Sequence, residues 1–180
     1  MAVQSFMLKM FSTQVLGVFN RLQSQEELMM EDSARLLAQA IVGNGRVFIF
    51  ATKEMKAVAY EATEGLEPLK NAYIWNAEHD EVFETDRFLI VTRHSTDKDA
   101  VEMGKQLAAK GIPFSAISTE LSNGEESLVD LADVHIDLKL VKGLLPDENG
   151  NRFGYPASMA ALFAYYGIKF IIDEILMEYE

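Results

Sequence analysis

The stretch Phe88-Leu89-Ile90-Val91-Thr92-Arg93-His94-Ser95-Thr96-Asp97 decides how the chain is read. Its apolar start is too short for a buried helix and suits a strand covered on both faces. A polar turn follows, and residues 97–109 then carry a helical pattern that closes at Lys110-Gly111. The same switch occurs upstream, where Val47-Phe48-Ile49-Phe50-Ala51 precedes a helical segment over 54–64 with Met55, Val58, Ala59 and Ala62 on one side. Ala72-Tyr73-Ile74-Trp75 reads as a further strand, Phe114-Ser115-Ala116-Ile117-Ser118 as a fourth and 135–140 as a fifth. A short helix over 128–132 separates the last two, and a long one starts at Pro156, a residue suited to a first helical position, and runs to about 177. Strands alternating with helices imply right-handed βαβ units and a mostly parallel sheet. The expected fold is therefore an α/β three-layer sandwich of about five parallel strands in flavodoxin-like order.

Working outward, residues 1–44 read as a helical hairpin. Phe11, Val15, Val18, Phe19 and Leu22 share one face, and Gln23-Ser24 looks like a break. Ser24-Gln25-Glu26-Glu27 then resembles a capping box opening a second helix, with Leu28, Leu36, Leu37 and Ile41 inward. Gly43-Asn44-Gly45 ends it through a residue that tolerates positive φ. The chain is expected to be a single domain: hairpin 1–44, sheet core 45–141, a long irregular loop 142–155 and a closing helix 156–178.

Composition narrows the function classes. With 180 residues and 49% apolar content the chain can bury a core on both faces of a sheet. A net charge of −12, with lysines and arginines scattered singly, argues against nucleic acid and anionic membrane surfaces as partners. The absence of cysteine removes thiol catalysis and thiolate metal sites. No signal peptide is evident, and the apolar run 157–172 carries Lys169 and falls short of the ~20 residues that span a bilayer. A cytoplasmic location is the expectation.

In open α/β sheets ligands bind beyond the carboxyl ends of strands where the strand order reverses. In flavodoxin-like order that crevice lies between the loops 52–56 and 92–97. Thr52, Lys53 and Lys56 come from the first; Thr92, Arg93, His94, Ser95, Thr96 and Asp97 come from the second. Hydroxyls, a guanidinium and an imidazole ahead of a helix N-terminus suit a phosphate or carboxylate. The alternative is that Ser95 or Thr96 merely caps the helix, with Asp99 in its first turn.

The stretch from Asp86 through Glu102, continuing to Lys110-Gly111-Ile112-Pro113, resembles the second half of SIS (sugar isomerase) domains. There a strand leads into Ser-x-Ser-Gly-x-Thr-x-Glu, which aligns with Thr92, His94, Ser95, Asp97 and Asp99. Gly45-Arg46-Val47 and Ala132-Asp133-Val134-His135-Ile136 are similar to two other family strands. The family's first loop, Gly-x-Gly-x-Ser, is Ala51-Thr52-Lys53-Glu54-Met55 here, so charge replaces glycine. The layout looks most like the phosphoheptose isomerase branch, in a divergent bacterial subfamily. Those enzymes use a Glu after the first strand and a His in the final helix to move a proton between C1 and C2.

That Glu position falls near Gly65, beside Glu64 and one turn from Glu61, while the final helix has no His. The resemblance thus implies a phosphosugar-binding protein, with Glu61, Glu64 and His94 as acid–base candidates for an aldose–ketose isomerase. The alternatives are a ligand sensor without turnover, or a structural or partner-binding module that keeps only the fold. The resemblance also implies a homodimer or homotetramer, and the sequence calls for no cofactor and no metal. His79 in Glu78-His79-Asp80-Glu81 reads as a solvated loop or a metal ligand, and His135 as structural. Arg152, Phe153 and Tyr155 either close over a ligand or anchor their loop.

Overall fold

The computed structural model describes residues 2–179. Its elements are α1 (Ala2–Val42), β1 (Val47–Ala51), a 3-10 turn (Lys53–Met55), α2 (Lys56–Glu64), β2 (Ala72–Ile74) and β3 (Arg87–His94). They continue with α3 (Lys98–Ala109), β4 (Phe114–Thr119), α4 (Leu128–Leu131), β5 (Val134–Asp137), β6 (Leu145–Pro146), β7 (Arg152–Phe153) and α5 (Ala157–Met177). Strand order is β2-β1-β3-β4-β5, all parallel, so the order reverses between β1 and β3 as expected. Alternation along β1 and β3 divides the core. Val47, Ile49, Leu89 and Val91 face α1, α2 and α5. Phe48, Phe88 and Ile90 face the opposite layer, with Val101, Leu107 and Leu128 of α3 and α4.

The expected N-terminal hairpin is instead one 41-residue helix, about 60 Å long at 1.5 Å per residue. Its buried positions Val15, Val18, Leu22, Glu26, Met30, Ser33, Leu37 and Ile41 keep one helical phase straight through the supposed break. Gln23-Ser24 continues the helix, and the next inward position is filled by a carboxylate, Glu26. Glu26 accepts a hydrogen bond from the Asp137 amide at 3.2 Å and faces Lys139 Nζ at 3.7 Å. Burial pushes its carboxyl above the ordinary value against those two contacts. Ser24 caps nothing; its hydroxyl donates to the Arg21 carbonyl within the helix. Leu28, expected inward, is 70% exposed. The helix does end on a left-handed Asn44, with the Gly45 amide reaching back to the Ala40 carbonyl.

Gly45 permits a close approach: a Cβ there would collide with the Thr85 backbone. Beside it, Asp86 is buried and accepts from the Arg46 amide and guanidinium and the Phe83 amide. Burial alone would raise its carboxyl, but these bonds outweigh it and hold Asp86 below the ordinary value. This clamp fixes where β1 and β3 begin.

Segment 142–155 is not wholly irregular. It carries the antiparallel hairpin β6–β7, turned by Asp147, whose carboxylate accepts from the amides of Asn149 and Asn151. Pro156 is the residue before α5 rather than its first member. The apolar character of α5 is used mainly within the chain: Ala160, Ala161, Ala164, Ile168 and Ile172 are buried, and Phe163 stacks on Phe19 at 4.6 Å. Among the described residues no helix is long and apolar enough to cross a membrane.

Candidate functional site

The register of β1 against β3 builds the site. Pairing Ala51 with Val91 brings the next residues, Thr52 and Thr92, side by side. Their hydroxyls are 2.7 Å apart, and Thr92, fully buried, donates to Asp97 Oδ2 at 2.6 Å. The same carboxylate oxygen accepts from the His94 amide at 3.0 Å. Asp97 therefore turns back into the loop and makes no cap bond to α3.

Arg93 reaches across to Glu54, making two hydrogen bonds of 2.8 Å each. This pairing holds the Glu54 carboxyl below its ordinary value and raises Arg93 further. The Tyr155 hydroxyl lies 3.5 Å from His94 Nε2, so the 142–155 segment does reach the crevice through Tyr155. Arg152 does not contribute there, because its guanidinium donates to the carbonyls of Gly143 and Leu144.

Other expected ligand residues go elsewhere. Ser95 is fully buried; its hydroxyl accepts from the Leu121 amide at 3.0 Å and so fastens the β4–α4 connection. Thr96 lines a separate recess with Lys98, Glu102 and Lys105. Glu61 accepts from Tyr166 Oη at 2.6 Å, which ties α2 to α5, and Glu64 is exposed. No hydrogen bond among the described residues joins either glutamate to His94. At about 100° per residue, Glu61 sits roughly 100° around α2 from Tyr60 and roughly 140° from Lys56.

The open space lies on the β1–β2 side of the crevice. A cavity of about 440 Å³ sits above the carboxyl ends of β1 and β2, lined in part by Thr52, Lys53, Lys56, Tyr60, Trp75 and Asp99. Trp75 is held edge-on by Phe48 and Phe88, each with ring centroids 5.2 Å away. Lys53 and Lys56 make no ion pair among the described residues. Lys53 has φ +50°, a left-handed conformation that costs an ordinary side chain roughly 1–2 kcal/mol. The resemblance aligns it with the second glycine of the family's first loop, and here a charged side chain stands on a left-handed backbone.

Tyr60 and Trp75 were not singled out in the sequence. Tyr60 is one turn after Lys56, but Trp75 reads as part of its strand, and the end of β2 at Ile74 is what leaves both residues on open space. His79 is exposed in its loop, and no group of three or more candidate metal ligands stands together among the described residues.

Residues 7–176 match the model of a domain of unknown function, DUF2529. The chain belongs to the DUF2529 family. A relative in this comparison is the uncharacterized protein YwjG of Bacillus subtilis (strain 168), 38% identical over 173 residues, spanning 96% of this chain and 99% of the relative. Among solved structures, the Vibrio vulnificus NanR protein complexed with ManNAc-6P aligns with TM-score 0.65 at 12% identity, over 99% of this chain and 66% of that one. A phosphoheptose isomerase from Francisella tularensis aligns with TM-score 0.63 at 10% identity, over 97% of this chain and all of that one. At such identities the likeness establishes the fold, which for this family member is that of SIS domains.

Proposed function

We propose that this DUF2529 member binds a sugar phosphate in the cavity above β1 and β2 and does not interconvert it. The observation that carries the reading is Lys53, a lysine without an ion pair among the described residues, held in a strained left-handed backbone at the mouth of that cavity. Strain of this kind collects where a site needs a side chain that the fold would otherwise replace. Lys53 and Lys56 hold the phosphate, and Tyr60 with Trp75 offers apolar surface to the sugar ring. The ManNAc-6P complex of NanR and the phosphoheptose isomerase, both of the same fold, support the ligand class.

Catalysis is not part of the proposal, because Glu61 is tied to Tyr166 and no His lies on α5 to share acid–base work. The phosphoheptose-isomerase-like reading, with Glu61, Glu64 and His94 as acid–base groups, is the alternative that turnover would favour. Pairing with a second copy along the groove between α1 and α5, where Phe170 is 56% exposed, fits the same reading.

Trp75 is the single tryptophan of the chain, so its fluorescence reports on the cavity directly. Titration with a panel of aldose and ketose phosphates should give a saturable change. Lys53→Ala/Lys56→Ala should abolish it, and NMR should show no exchange between C1 and C2 isomers. A panel without any response, or a response unchanged in the double variant, refutes the binding claim. Interconversion lost in Glu61→Gln would replace the sensor reading with the isomerase one.

A further inference from the structure

Two hydrogen-bond donors of the β3–α3 turn, the Thr92 hydroxyl and the His94 amide, converge on a carboxylate of the chain itself. A threonine hydroxyl has one proton. Thr92 gives its proton to Asp97 Oδ2, so the proton in the Thr52–Thr92 contact belongs to Thr52. The His94 amide ends on the same oxygen, and His94 Nδ1 faces Asp97 Oδ1 at 3.8 Å. Arg93, the cation of the turn, is held by both carboxylate oxygens of Glu54. An incoming anion finds two fixed negative charges and no free hydroxyl proton on Thr52 or Thr92.

We infer that Asp97 is a specificity-determining residue: its carboxylate occupies the position an external anion would take in the β3–α3 turn. The ligand's anionic group is thereby excluded from Thr92 and His94 and must be held elsewhere. The inference goes beyond the sugar-phosphate reading and holds whether or not the cavity binds one. The donors of Thr92 and His94 are satisfied within the turn itself, which explains how the chain keeps a hydroxyl and an imidazole there without an anion site.

The test uses ¹⁵N-labelled protein and inorganic phosphate as the probe. In the wild type the His94 amide should not move with phosphate. In Asp97→Ser, which frees the Thr92 proton and the His94 amide while leaving a residue that caps helices well, it should gain a saturable shift with phosphate. Asp97→Asn keeps the shape and removes the charge, and should respond less strongly; it stands in if the serine variant does not fold. A phosphate-dependent His94 shift in the wild type overturns the inference, as does silence in a folded variant. Failure of the cavity reading would show separately, at the Lys53 and Lys56 amides and in Trp75 fluorescence.

Discussion

Replacing Lys53 with glycine should make the protein more stable and its ligand affinity worse. The left-handed φ of +50° costs a lysine roughly 1–2 kcal/mol, and glycine removes that cost. Glycine also loosens the unfolded chain, which returns about 0.4–1 kcal/mol. The net expectation is a gain of about 0.5–1 kcal/mol, or roughly 1–4 °C in Tm for a chain of this size. Loss of a charge-assisted contact to phosphate costs roughly 1.5–3 kcal/mol of binding, a factor of about ten to a hundred.

Lys53→Ala separates the two effects, since alanine loses the charge but keeps the strain. Urea or thermal unfolding gives the stability arm, and Trp75 titration gives the binding arm. The reasoning fails if glycine is no more stable than alanine at this position. It also fails if glycine is stabilising yet binds the ligand as the wild type does.

Two further outcomes follow from polar groups that are buried or half-buried. Ser33 and Ser115 are fully buried and share a hydrogen bond of 2.6 Å between α1 and β4. Ser33→Ala should cost about 1–3 kcal/mol by leaving Ser115 unsatisfied, while the Ser33→Ala/Ser115→Ala double variant costs less than the sum; additive losses in urea unfolding would contradict this. His135 is bonded to Ser118 Oγ at 2.7 Å, and burial lowers its pKa below the ordinary value, with the Asp137 charge opposing. As pH falls below about 6.5 the unfolded chain takes up a proton that the folded one refuses, so stability declines by up to about 1.4 kcal/mol per pH unit until the folded His135 titrates. His135→Gln should flatten that part of the profile, and an unchanged slope between pH 7 and 5 would count against the assignment.

The strands were legible because each is a short apolar run bounded by polar turns; Val47–Ala51 appears in the fold as it reads in the sequence. The long helix was not, because Glu26 occupies a position where the apolar stripe should continue, and its partners lie more than a hundred residues away. The β6–β7 hairpin has two-residue strands, too short to carry a period. In the candidate site, Lys53 and Lys56 could be placed by topology alone. The closure of Asp97 onto Thr92 could not, because a helix-capping position normally directs its side chain forward and only the strand register supplies the competing donor. Tyr60 and Trp75 required knowing that β2 stops early enough to leave space above it.

Glu26 has a mechanical consequence for α1. Sliding α1 by one turn would shift it about 5.4 Å against its neighbours. With a carboxylate in the helix's apolar stripe, such a slide would drag the charge off the Asp137 amide and Lys139 and put it in the apolar surroundings that Leu22 or Met30 now fills. Glu26 acts as a detent: it locks the longest element of the protein to the end of β5, and the helix can leave that setting only by detaching.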